Sequence, residues 1–104
     1  MRYTLRFLPE VDEDATAAYE WYEERAAGLG DGFLQDFYDT AKGLLANPRL
    51  CRTIDRTIRR CLLRRYPYSI YFTIEDEMVL VIGLFHCARD PRRITSELDE
   101  RDQP

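Results

Sequence analysis

One stretch constrains the fold more than any other: Met78 to Phe85, an apolar run interrupted only by Gly83. Strand alternation puts Met78, Leu80, Ile82 and Leu84 on one pleat face and Val79, Val81 and Phe85 on the other. A strand that is apolar on both faces belongs inside a sheet, with cover above and below. The run is too short to cross a bilayer, so the cover must be protein. Tyr68 to Glu75 precedes it across a tight turn at Asp76-Glu77, and the two segments read as an antiparallel pair.

The chain upstream supplies cover for one face. Arg2 to Leu8 alternates, with Tyr3, Leu5 and Phe7 on one side, and reads as a short strand ended by Pro9. From Asp12 to Ala27 the residues Ala15, Ala18, Tyr19, Tyr22 and Ala26 recur at helical spacing. A second helix is predicted over Asp31 to Ala46, with a stripe of Phe33, Leu34, Phe37, Ala41, Leu44 and Leu45. The Gly28-Leu29-Gly30 link is short enough to make the two helices an antiparallel hairpin. Arg49 to Asp55 reads as a connector and Thr57 to Arg65 as a strand.

The predicted fold is α+β: an N-terminal strand, a helical hairpin, then a three-stranded antiparallel meander (β-α-α-β-β-β). It carries a single layer of helices on a small sheet. The second sheet face is left to the C-terminal segment or to a partner. Residues 1–94 make the domain, and residues 95–104, acidic and poor in apolar groups, read as a flexible tail.

At 104 residues there is room for one domain, and 45% apolar content suffices for a core without metal or disulfide. Cys51, Cys61 and Cys87 are odd in number and widely spaced, with no Cys-x-x-Cys pair. They read as free, mostly buried, unreactive thiols of a cytoplasmic chain. The N-terminus has no secretory-signal pattern. His86 stands alone among scattered cysteines, so neither a metal site nor a cofactor is expected.

Charge is unevenly placed. The net charge is −4, yet residues 1–48 carry −6, residues 49–93 carry +5 and residues 94–104 carry −3. Seven arginines lie between Arg49 and Arg65 beside one acid, Asp55. The pI near 5 argues against nonspecific nucleic-acid binding by the whole surface. The local cationic stripe points to a surface that meets an anionic partner.

Four blocks in order carry a resemblance. They are Tyr19-Glu20-Trp21-Tyr22-Glu23 with Gly28-Leu29-Gly30 and Phe33-Leu34, then Asn47-Pro48, then Ile58 through Tyr68 with its basic residues leading into Tyr66-Pro67-Tyr68, and finally Phe85-His86-Cys87-Ala88-Arg89-Asp90-Pro91. From Ala15 to Arg93 the chain resembles the RelE/ParE superfamily of toxins from type II toxin–antitoxin systems, closer to the ParE-like branch. That resemblance implies a toxin, such as those of plasmid stabilisation, held in a hetero-oligomer by a cognate antitoxin. RelE-like members are ribosome-dependent ribonucleases. ParE-like members poison DNA gyrase without being nucleases. Fold alone does not choose between them.

RelE-like nucleases imply an arginine after the Pro-Tyr corner and a late tyrosine. Here those positions hold Ser69 and, near the end, Ile94, and no tyrosine follows Tyr71. The expected activity is therefore protein binding, with gyrase as the implied target. The alternatives are a ribosome-dependent mRNA interferase using Arg65, His86 and Arg89, or a non-toxic binding remnant. His86 serves either as an acid or base, or as a backbone-bonded residue that positions the Arg89 loop. Arg59, Arg60, Arg64 and Arg65 read either as a partner interface or as a solvated edge paired with acids of the first helix. Arg89, Arg92 and Arg93 either join that patch or form a solvated tail. Trp21 lies off the buried stripe, as a partner anchor or a cover over the hairpin. Tyr66-Pro67-Tyr68 reads as structural.

Overall fold

A computed structural model describes residues 2–101. The element order is β1 (Thr4–Phe7), α1 (Pro9–Arg25), α2 (Leu29–Leu44), a 3-10 turn (Pro48–Leu50), β2 (Arg52–Asp55), β3 (Ile58–Leu62), β4 (Tyr68–Glu75), β5 (Met78–His86) and α3 (Pro91–Arg101). The five strands form one sheet in the order β1-β5-β4-β3-β2. β5 is interior, with β1 parallel on one side and β4 antiparallel on the other.

The α+β class and the hairpin are as expected, and two elements are added. Within the predicted connector, Arg52 and Thr53 pair with Arg60 and Arg59 to form edge strand β2. The predicted tail is instead helix α3 as far as Arg101, and residues 102–104 lie outside the described residues. Ile94 and Leu98 are fully buried on the second sheet face, against Ile58, Tyr71, Ile82 and Phe85. These two residues, one helical turn apart, suffice to seat a helix whose other positions are polar. The helices thus form two layers, one on each face.

The hairpin face holds the larger core. Pro9 starts α1 at its first position, where the missing N–H costs nothing. The small residues Ala15 and Ala18 bring α1 close to the sheet. Gly28 turns the chain at φ +88, and the Glu23 carboxylate accepts N–H bonds from Gly28 and Gly30, both at 2.9 Å. A Cβ on Gly30 would stand 2.7 Å from the Tyr19 ring, so the crossing needs glycine there. Phe33 stacks on Tyr22 at 5.5 Å and receives the edges of Tyr66 (5.5 Å) and Tyr68 (5.0 Å). The Tyr66-Pro67-Tyr68 corner is therefore bolted to the hairpin, and each buried ring adds roughly 2–3 kcal/mol of transfer free energy.

The simple alternation expected of Met78 to Phe85 fails midway. Tyr71 pairs with Gly83 and Phe72 with Val81, so Ile82 is an extra residue in β5. Val79, Val81 and Leu84 belong to the hairpin-side core, while Ile82 and Phe85 belong to the α3 side. The bulge has moved Leu84 and Phe85 to the faces opposite those predicted. Gly83 lets α3 approach, because a Cβ there would be 2.6 Å from Leu98.

Candidate functional site

The basic stripe divides in the structure. β3 ends at Leu62, so Arg64 and Arg65 lie in a loop rather than in the strand. The loop is held by Asp36 of α2, a buried carboxylate that accepts the N–H groups of Arg64 (3.2 Å), Arg65 (2.8 Å) and Tyr66 (3.1 Å). Their backbone is fixed inward while both side chains stay exposed. Asp36 escaped the sequence reading, although an acid inside the stripe of Phe33 and Phe37 was the signal for it.

Arg59 and Arg60 take opposite faces. On the hairpin side, Arg59 donates to the carbonyls of Arg49 (3.0 Å) and Cys51 (2.7 Å) and is committed to structure. Arg60 lies directly opposite Arg52 on one side and Tyr71 on the other. Among the described residues, neither Arg52 nor Arg60 makes a salt bridge with a carboxylate. The expected pairing of the stripe with acids of α1 is not formed. The acid that is used, Asp14, takes Arg101 of α3 instead, at 2.6 and 3.0 Å.

Arg52, Arg60 and Tyr71 line a cavity of about 300 Å³ between the sheet and the start of α3. Arg89, Cys87, Pro91 and Ile94 complete much of its wall. The Arg89 guanidinium lies 4.5 Å over the Phe85 ring and pairs with Glu97 at 3.1 Å. Pro91 opens α3 here, so the positive end of that helix also faces the cavity rim. Burial raises the Tyr71 phenol above its ordinary 10, while Arg60 and a hydrogen bond to Ser69 pull the other way. The phenol is a proton donor at neutral pH and not a base. Arg52, Tyr71 and Cys87 were absent from the sequence-derived set, Arg52 because its four-residue strand reads as a connector.

A second, shallower groove runs between α1 and the end of β5, lined by Trp21, Tyr68, His86 and Arg89 among others. Trp21 is 48% exposed, with Arg25 stacked on it at 3.2 Å. The His86 Nδ1 accepts the Ala88 N–H at 3.0 Å, and its carbonyl accepts from Arg89. His86 therefore positions the Arg89 loop, its ring edge-on to Tyr68 at 5.2 Å. Of the three weak catalytic candidates, His86 and Arg89 share this groove, and Arg65 lines neither cavity. Arg92 and Arg93 are exposed on α3, Arg92 near Asp90 at 3.8 Å. No three His, Cys, Asp or Glu side chains gather to hold a metal among the described residues.

The sequence model for the ParE toxin of type II toxin–antitoxin systems, parDE, matches residues 5–91. The chain belongs to the ParE toxin family. Among solved structures, the chromosomal ParDE system of P. aeruginosa superposes with a TM-score of 0.74 at 17% identity, covering 82% of this chain and 96% of that one. The RelBE2 toxin–antitoxin complex of Mycobacterium tuberculosis gives 0.61 at 20% identity, covering 83% and 99%. A free arginine-to-alanine double mutant of E. coli toxin RelE gives 0.63 at 17% identity, covering 99% and 100%. At these identities the superpositions establish the shared RelE/ParE fold, and the family assignment rests on the sequence match. No curated protein sequence matches this ParE-family chain.

Proposed function

We propose that this chain is the toxin half of a type II toxin–antitoxin pair that acts by binding a protein target, DNA gyrase, without chemistry of its own. One observation carries the reading. Arg52 and Arg60 stand directly opposed across two strands with no carboxylate between them, on the wall of the Arg89 cavity. Like charges so placed destabilise a sheet, so the arrangement is explained by an anionic group arriving from a partner. The cavity holds donors and cations, and no base to start phosphoryl transfer. In the cell the cognate antitoxin would neutralise the toxin, its acidic C-terminal segment lying over the arginine face as helix, strand or both. No described helix is long and apolar enough to cross a membrane, which is compatible with action in the cytoplasm.

The purified chain is expected to inhibit gyrase supercoiling at micromolar dose and to trap a cleavage complex, and Arg60→Ala to lose both effects. Absence of inhibition and trapping would overturn the target. A second reading, a ribosome-dependent ribonuclease, has one observation in its favour: three guanidiniums and a protonated phenol share a cavity. Primer extension on translated mRNA after induction separates the two, since new cleavage sites arise only under the nuclease reading. Unimpaired growth on overexpression without antitoxin would favour a non-toxic remnant over both.

A further inference from the structure

The β2–β3 ribbon carries a second pair of opposed residues, on the face away from Arg52 and Arg60. The ladder pairs Arg52 with Arg60 and Thr53 with Arg59. Carried one step beyond the Arg52–Arg60 pair, outside β2 itself, the same register sets Cys51 opposite Cys61, and the two thiols are neighbours. Cys51 is already extended, at φ −73 and ψ 143. Directly opposed antiparallel residues have Cα atoms about 4.5–5.5 Å apart, within the range of about 4.4–6.8 Å that a disulfide spans. Neither thiol is fully buried, contrary to the sequence expectation, and Cys87 is exposed. Arg59 pins the Cys51 carbonyl at 2.7 Å, which holds the pair in register.

We propose that Cys51 and Cys61 form an oxidisable dithiol that closes into a cross-strand disulfide and clasps edge strand β2 to β3. Hydrogen peroxide is the oxidant. The Cys51 sulfur attacks its O–O bond, giving a sulfenic acid and releasing water. The Cys61 sulfur then attacks the Cys51 sulfur, the S–O bond breaks, and the departing hydroxide leaves as water with the Cys61 proton. Two thiols and one hydrogen peroxide thus give one disulfide and two waters, and an added dithiol reverses the change. Burial and the adjoining Cys51 thiol push Cys61 up to about 11, so this thiol still carries at neutral pH the proton that leaves with the hydroxide. The clasp would hold Arg52 beside Arg60 on the opposite face, so peroxide would tighten one wall of the cavity. The inference does not depend on the toxin reading.

The test is peroxide titration of the Cys87→Ser chain, read by intact mass and by peptide mapping without reductant. The expected result is a loss of about 2 Da, a Cys51–Cys61 cross-linked peptide, disappearance of both free thiols, and full reversal by dithiothreitol. Cys51→Ser and Cys61→Ser should each keep one thiol and show no such loss. In the oxidised chain the amides of Arg52 to Asp55 should exchange more slowly with deuterium. Sulfinic acid without a cross-link, a disulfide only between chains, or resistance to millimolar peroxide would each overturn the proposal. A cross-link that leaves β2 exchange unchanged would overturn the clasp. The natural three-cysteine chain, titrated with peroxide in parallel, keeps the test valid should a variant misfold. There Cys51–Cys61 linkage is expected, and linkage through Cys87 would count against it.

Discussion

The two faces of the sheet are built on different terms. The hairpin face is closed by four interlocking aromatic rings, the small residues of α1 and the Asp36 anchor. The α3 face is closed by two apolar residues and a nearly buried ion pair, Arg101 with Asp14, whose side chains are only 12% and 11% exposed. The first face spends its polar groups on holding backbone. The second leaves opposed arginines without carboxylates beside a cavity. The contrast shows where folding was the constraint and where something else was.

Substitutions should separate these roles. Phe33→Ala on the hairpin face removes the ring that Tyr22, Tyr66 and Tyr68 all touch, and should cost about 3–5 kcal/mol in urea denaturation. On the other face, Arg101→Ala strands a nearly buried Asp14 and should cost about 2–3 kcal/mol. Its deuterium exchange should quicken in α3 while α1 and α2 keep their protection. Equal loss in all three helices would mean that the faces fold as one unit and would break the contrast.

Alkali should act on both faces. Burial raises the phenols of Tyr22 and Tyr68 on the hairpin side and of Tyr71 on the α3 side, and raises Cys61 from 9.0 to about 11. Each group keeps its proton in the fold at a pH where the unfolded chain releases it. Their contribution is therefore complete below about pH 9 and is lost as pH rises through the folded values. The urea midpoint should hold between neutrality and pH 9 and fall above it. The smallest effect on stability should come from Arg60→Ala, within about 0.5 kcal/mol, because relief of the Arg52 repulsion offsets lost packing. The same change should weaken partner binding by roughly tenfold or more, measured by calorimetry with the antitoxin. A large stability loss with intact binding would reverse the assignment of this face.

The sequence showed most of the hairpin face because long helices with regular stripes announce themselves. Phe33, Phe37, Ala41 and Leu44 fell where their spacing placed them. It showed the interior position of β5 for a similar reason, since a strand apolar on both sides has few places to go. It did not show α3, whose Ile94 and Leu98 are two apolar residues in an acidic segment. β2 was hidden because its four residues include Arg52 and Asp55, and only pairing with β3 makes them a strand. The arginine face was half legible. The stripe was visible, yet its division depended on β3 stopping at Leu62 and on Asp36, contacts that span about thirty positions of chain. The cavity followed from β2 and α3 together, so it was out of reach until both were known.

The extra residue at Ile82 has a consequence beyond geometry. It makes β5 change phase partway along, and the two halves of the strand serve opposite sides of the molecule by different rules. Shortening the chain by one residue there would exchange Leu84 and Phe85 between the two cores and remove the ring on which the Arg89 guanidinium rests. Within that strand, spacing is therefore more strictly constrained than identity: an aliphatic swap is tolerable, but a miscount is not.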